Sequence, residues 1–295
     1  MTTAAIPDCL GPNPAPSVPR IQLPPGSWDT HFHVLGPQAK FPYAARRKYS
    51  PPDAPLDTCL AFHRRLGIER GLEVHANTHG FDNSVDLDAV ANSGGRYFGV
   101  VRLDASVTAQ DCERLHEQGI RGVRFAFNPR HGGTLDHAAF NRVLECMQGL
   151  GWFVELHFDG AAIPGLEPWL RSLTVPVVID HIGRIDVSAG LEQAPFRLLC
   201  ELARRDNFWI KLSGADRLTK QGYPYDDVAP FMRRIAEAAP ERTLWGSDWP
   251  HTGLFNPERV PDDGRLLDAL ASFVPDEARR RRILVDNPGR LLGLS

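Results

Sequence analysis

A chain of 295 residues, 42% hydrophobic and 23% charged, is long for one sandwich or doubly wound domain and ordinary for one α/β barrel. A net charge of −3 offers no footing to nucleic acid or an anionic membrane, so any attraction for anions must come from local clusters of arginine. No apolar run approaches the ~18 residues of a membrane-spanning helix, and five scattered cysteines without CxxC spacing read as reduced thiols of a cytoplasmic protein.

Residues 1–27 carry many prolines and lack both the basic and the apolar region of a signal peptide. They are expected to form an extended arm lying on the fold or on a neighbouring subunit. Residues 28–295 read as a single domain. Strand patterns occur at 28–33, 70–76, 96–103, 122–127, 152–158, 175–182, 208–213 and 243–247, with helical patterns such as 54–66, 109–118, 139–150, 195–205 and 228–238 between them. Strands alternating with helices call for parallel pairing through right-handed crossovers, and eight such units predict a (β/α)8 TIM barrel. An open doubly wound sheet would need a glycine-rich phosphate turn after an early strand; neither GxGxxG nor a Walker A pattern follows any strand. The longest excursions, 35–55 and 218–225, are expected over the catalytic face.

Four predicted strand ends carry chemistry. The first reads Asp29-Thr-His31-Phe-His33, where strand alternation turns both imidazoles to one side. Strand five ends in Glu155-Leu-His157, strand six in Asp180-His181, and strand eight runs into Asp248-Trp-Pro-His251. The C-terminal edge of a parallel barrel is where active sites form. Convergence of four such ends there points to an enzyme rather than to histidines satisfied in a core.

At this point the sequence resembles the amidohydrolase superfamily, and within it the lactonase branch that includes 2-pyrone-4,6-dicarboxylate lactonase. The likeness is carried by DTHFHVLGP, KFPYAARRKYSPPDA, HANTHGFDN, GVRFAFNPR, VVIDHIGR, DRL, WGSDWPH and VDNPGRLLG. It implies hydrolysis of a small anionic lactone, in the degradation of aromatic compounds. Asp248 would be the general base toward water, and His31, His33 and His181 would polarise the carbonyl or bind metal. Tyr49, Arg124, Arg130 and Arg217 match positions that grip substrate carboxylates, a task suited to the guanidinium fork.

Two departures alter that picture. Asn77 stands where the dicarboxylate lactonase has serine, and His157 stands where that metal-independent enzyme has tyrosine. Relatives with histidine on strand five use it as a metal ligand. His31, His33, His157 and Asp248 therefore form an expected set for one divalent ion, Zn²⁺ by donor type, with His181 outside it orienting water or carbonyl. The other reading makes His157 a hydrogen-bonding substrate contact with no metal required. Substituted muconolactones such as 4-sulfomuconolactone, pyrone dicarboxylate and sugar-acid lactones all stay open as substrates. A metal-dependent decarboxylase and a non-catalytic anion sensor are the rivals from other classes. Monomer and homo-oligomer are equally open.

Overall fold

The computed structural model describes residues 5–127 and 135–294. Eight parallel strands follow one another in chain order: β1 (Trp28–Phe32), β2 (Arg70–Val74), β3 (Tyr97–Val101), β4 (Ile120–Ala126), β5 (Phe153–His157), β6 (Val177–Ile179), β7 (Phe208–Leu212) and β8 (Thr243–Trp245). The ring closes just beyond β8. Asp248 N donates to His31 O at 2.8 Å, His33 N donates to Trp249 O at 2.8 Å, and Phe32 bridges Trp249 in parallel. The closing seam thus lays Asp248 beside the two histidines of β1.

The barrel interior is filled by Leu72, Val74, Val100, Phe153, Val178, Trp209 and Leu244. A larger apolar layer lies between the strands and the outer helices α1 (Leu56–Leu66), α2 (Ser84–Asn92), α3 (Ala109–Glu117), α4 (His137–Cys146), α5 (Ile163–Ser172), α6 (Ala194–Ala203), α7 (Ala215–Leu218), α8 (Ala229–Ala238) and α9 (Asp263–Phe273). α1 shows why these segments coil: Cys59, Phe62, His63 and Leu66 fall on one buried stripe, and Gly67 ends the helix at φ 82°. Thr108 and Asp111 form a reciprocal capping box on α3. Two short helices, α10 (Glu277–Arg281) and α11 (Asn287–Leu291), close the C-terminal end.

Strand six is shorter than expected. It stops at Ile179, because His181, Ile182, Gly183 and Arg184 all adopt positive φ, between 44° and 64°, which no strand accommodates. Arm residues lie along the chain's own barrel. Cys9 N donates to Ser50 O and Leu10 N to Leu254 O, Ser17 Oγ to Asp262 at 2.7 Å, and Arg20 Nε to Asp268 at 2.9 Å. All five cysteines are buried and unpaired. Among the described residues no helix is long and apolar enough to cross a membrane.

Candidate active site

β1 delivers His31 and His33, and each ring is oriented from behind. His33 Nδ1 lies 2.6 Å from the Val74 carbonyl, which can only accept, so the proton sits on Nδ1 and the Nε2 lone pair points to the mouth. That Nε2 is 3.6 Å from Asp248 Oδ1. His31 Nε2 is also 3.6 Å from Asp248 Oδ1, buried and, among the described residues, without a hydrogen-bond partner. Asp29 does not join them. Its Oδ1 accepts from His31 N at 2.9 Å and Ser247 N at 3.0 Å, pinning β1 to the segment after β8.

His181 approaches from the left-handed turn after β6. Its Nδ1 is 2.8 Å from Ser213 Oγ, and its Nε2 is 3.9 Å from Asp248 Oδ1. Asp248 itself has φ 63°, a conformation that aspartate tolerates better than most residues and that recurs at functional sites. Its other oxygen accepts from Arg217 Nε at 2.5 Å.

Electrostatics divide these groups cleanly. Burial pushes His31 well below the usual imidazole range, with the Lys211 ammonium adding to the effect; it lowers His33 too and takes His181 down to about 4. All three imidazoles are therefore neutral near pH 7. Burial opposes ionisation of Asp248, but the Arg217 guanidinium outweighs it and holds the carboxyl well below its ordinary range. One carboxylate thus faces three neutral imidazoles. His31, His33 and Asp248 bring donor atoms within 4.8 Å of one another, as do His31, Asp180 and His181. Such a donor set suits a divalent ion.

Beneath the histidines lies a charged layer. Lys211 on β7 contacts Glu155 on β5, lies 2.9 Å from His31 Nδ1 and 3.5 Å from Asp180. Arg124 on β4 donates to Asp180 at 3.0 Å and to the His75 carbonyl at 3.0 Å, and lies 3.5 Å from Glu155. Two cations and two carboxylates are thus buried together, so each charge has a partner. Lys211 and Glu155 had no assigned role from sequence. Their signal was an interrupted apolar run, Phe-Trp-Ile-Lys-Leu in β7 and Phe-Val-Glu-Leu-His in β5, with the charge on the inward phase of the strand.

The expected substrate contacts fall into different surroundings. Arg124 is turned into this buried layer and also lies 3.2 Å from His157 Nδ1. His157 is edge-on to His181, with ring centroids 5.5 Å apart. Arg217 is paired with Asp248, and Tyr49, in the first long excursion, meets Thr252 Oγ1 at 2.9 Å. Asn77 is exposed at the start of a 3-10 turn after β2. Arg130 lies outside the described residues.

The chain is similar to known proteins over nearly its whole length. The amidohydrolase family profile matches residues 28–294. A 4-sulfomuconolactone hydrolase from Rhizobium radiobacter is 50% identical over 99% of this chain and 98% of its own length. A 2-pyrone-4,6-dicarboxylate hydrolase from Comamonas testosteroni is 38% identical over 94% of this chain and 93% of its own. An apo crystal structure of a protein from Agrobacterium tumefaciens superposes with a TM-score of 0.82 at 32% identity, covering 94% of this chain and 99% of that one.

Proposed function

The chain belongs to the amidohydrolase family, and on that premise we propose that it hydrolyses a small lactone bearing an acidic substituent. The 4-sulfomuconolactone and 2-pyrone-4,6-dicarboxylate types are the nearest substrates, which sets the reaction in aromatic catabolism. The observation that carries this reading is the ionised carboxylate of Asp248 facing three neutral imidazoles at the mouth of the barrel. In this reading residues 28–295 are the catalytic unit and 1–27 its arm. The unpaired cysteines support a reducing, cytoplasmic setting.

The residues fit one divalent ion, with zinc the best match to a nitrogen-rich donor set. His31 Nε2, buried and without a hydrogen-bond partner among the described residues, is the atom that asks for it. His31, His33 and Asp248 would hold the ion, with His157 as the expected fourth ligand and His181, whose Nε2 lies 3.9 Å from Asp248 Oδ1, outside the set. Such an ion supplies Lewis acidity toward a carbonyl and lowers the pKa of bound water.

The chain's own groups account for the proton movements. Asp248 takes a proton from the attacking water and returns one to the departing ring oxygen. Ser213, if it donates to His181 Nδ1, leaves a proton on Nε2, where it can meet the lactone carbonyl as negative charge develops. Arg217 and Tyr49 flank Asp248 and are suited to an acidic substituent, with Asn77 at the rim. An acidic group that draws Arg217 away from Asp248 would also restore basicity to the carboxylate it now neutralises. Arg124 acts from below, holding His157 and Asp180 in place.

A panel of pyrone dicarboxylate, 4-sulfomuconolactone and aldonolactones, assayed before and after chelation with metal analysis alongside, tests the reading. The expected result is opening of the acidic lactones, about one equivalent of zinc, and activity lost to chelator and restored by zinc. Full activity with sub-stoichiometric metal would remove the ion. Release of carbon dioxide from aromatic acids without any lactone opening would replace hydrolysis by decarboxylation.

A further inference from the structure

Arg102 follows β3 by one residue. Val100 belongs to the inner apolar cluster of the barrel, so two residues further on the Arg102 side chain leaves the strand on the same inward face. The β3–β4 register, Val100 with Gly122 and Val101 with Val123, sets Arg102 alongside Arg124. Its backbone is clamped from both directions by one side chain: Asn83 Nδ2 donates to Arg102 O at 2.9 Å, and Arg102 N donates to Asn83 Oδ1 at 2.9 Å. Asn83 is the residue before α2, yet its amide serves Arg102 rather than capping the helix. The guanidinium lies over the half-exposed ring of Phe81, 4.4 Å from its centroid.

Among the described residues, the lack of a charged partner sets Arg102 apart from Arg124, Arg184 and Arg217. Arg124 is neutralised by Asp180 and Glu155, Arg217 by Asp248, and Arg184 by Asp159. Arg102 is half-buried and, among the described residues, has no carboxylate within ion-pair distance. Burial and the neighbouring Arg124 charge both lower its proton affinity, as expected of a cation held without a counter-charge. With Arg124 it lines a cavity of about 530 Å³ walled by Phe125, Phe127 and Leu135. The two acids on that wall are already occupied. Asp104 accepts from Ser106 N at 2.8 Å and Ser106 Oγ at 2.5 Å, and Asp136 accepts from Ala138 N and Ala139 N at 3.0 Å each.

We propose that Arg102, braced by Phe81 and Asn83, is a specificity-determining residue that binds the oxyanion substituent of the substrate, carboxylate or sulfonate, in the cavity between the ends of β3 and β4. A preorganised guanidinium gives such a group two parallel charge-assisted hydrogen bonds, and the Phe81 ring holds the fork in plane. The proposal rests on the acidic-lactone reading for its substrate, though the anion site can be tested without turnover.

The experiment uses the full chain with benzenesulfonate and its neutral isostere benzenesulfonamide, followed by calorimetric titration, on wild type, Arg102→Met and Arg102→Lys. Wild type is expected to bind the sulfonate at least 10-fold more tightly than the sulfonamide. Arg102→Met should lose about 10- to 100-fold in sulfonate affinity and little in sulfonamide affinity, as expected for loss of a charge-assisted pair. Arg102→Lys, which keeps the charge and loses the fork, should fall between them. If Arg102→Met melts early, the lysine variant at native melting temperature decides. With an anionic and an uncharged lactone, Arg102→Met should raise KM for the anionic one at least 10-fold more than for the uncharged one, with kcat changed only a few-fold. Equal sulfonate affinity in wild type and Arg102→Met, or no saturable sulfonate binding by wild type, overturns the proposal. Sulfonate binding that depends on Arg102 in a protein opening no lactone keeps the site and removes the lactonase reading.

Discussion

Asp248 concentrates the chemistry of the molecule in one side chain, and its backbone sharpens the test of its role. At φ 63° an asparagine fits about as well as the aspartate, whereas alanine adds strain. Asp248→Asn should therefore fold, while losing about 10²- to 10⁴-fold in kcat as the general base disappears; steady-state kinetics beside a thermal melt read both. Full turnover in that variant would take the base away from Asp248. The sequence made this residue and its partners easy to find. His31 and His33 share a strand face, and Asp248 follows β8, so the topology of a closed barrel was enough to bring them together. The buried layer under them was harder to read. Whether Arg124 reaches solvent or turns down to Asp180 and Glu155 depends on the partners across the barrel, and strand position alone cannot tell the two apart. Arg102 is hidden in the sequence for the complementary reason: what marks it is that no carboxylate among the described residues reaches it, a property of space rather than of spacing.

Among the elements, the eight strands were legible because each is a short buried run between polar turns, and parallel order followed from their alternation with helices. Two helices are harder to read from sequence. α2, Ser84–Asn92, has only a weak apolar stripe, and α5, Ile163–Ser172, contains Gly165 and, inside the helix, Pro168, residues that normally argue against a helix. Packing of Ile163 and Leu170 into the core overrides that propensity. The arm could be anticipated only as extended, since prolines specify no docking site. Its seat depends on Gly264 in α9: a Cβ there would collide with the Ser17 backbone carbonyl, and the arm also joins the excursion carrying Tyr49 to the loop carrying Thr252, through Cys9 with Ser50 and Leu10 with Leu254. Gly264→Ala should therefore lift the arm, raising its rate of limited proteolysis, and increase KM several-fold through a looser Tyr49–Thr252 contact, while kcat stays closer to wild type. An arm that remains as protected as in wild type would mean that α9 yields instead and that the seat is not at Gly264.

At the scale of the whole molecule, the site is supported by buried groups whose protonation ties the fold to pH. Burial pushes His75 down to about 3; its Nδ1 meets Asp86 at 2.7 Å, its Nε2 meets Gly80 O at 3.0 Å, and its carbonyl accepts from Arg124. Below a pH of about 6.5 the unfolded chain takes up a proton at His75 that the native state refuses, so stability falls as pH drops toward 3 and is retained above the unfolded value. The opposite sign holds for Glu73 and Asp86, which burial raises well above the carboxylate range: the native state keeps protons that the unfolded chain releases, so their contribution declines as pH rises. Because the two trends offset each other in the melting temperature, comparison with a variant isolates one of them. His75→Gln can keep both hydrogen bonds but cannot be charged. It should be less stable than wild type near pH 7.5, and below pH 6.5 it should recover relative to wild type by about 1.4 kcal/mol per pH unit, measured by urea denaturation between pH 7.5 and 4.5. Parallel stability curves across that range would show that His75 takes up its proton without unfolding. The acid limit of the barrel would then have to arise from Asp180, whose carboxyl Lys211 and Arg124 hold, against burial, well below its ordinary range.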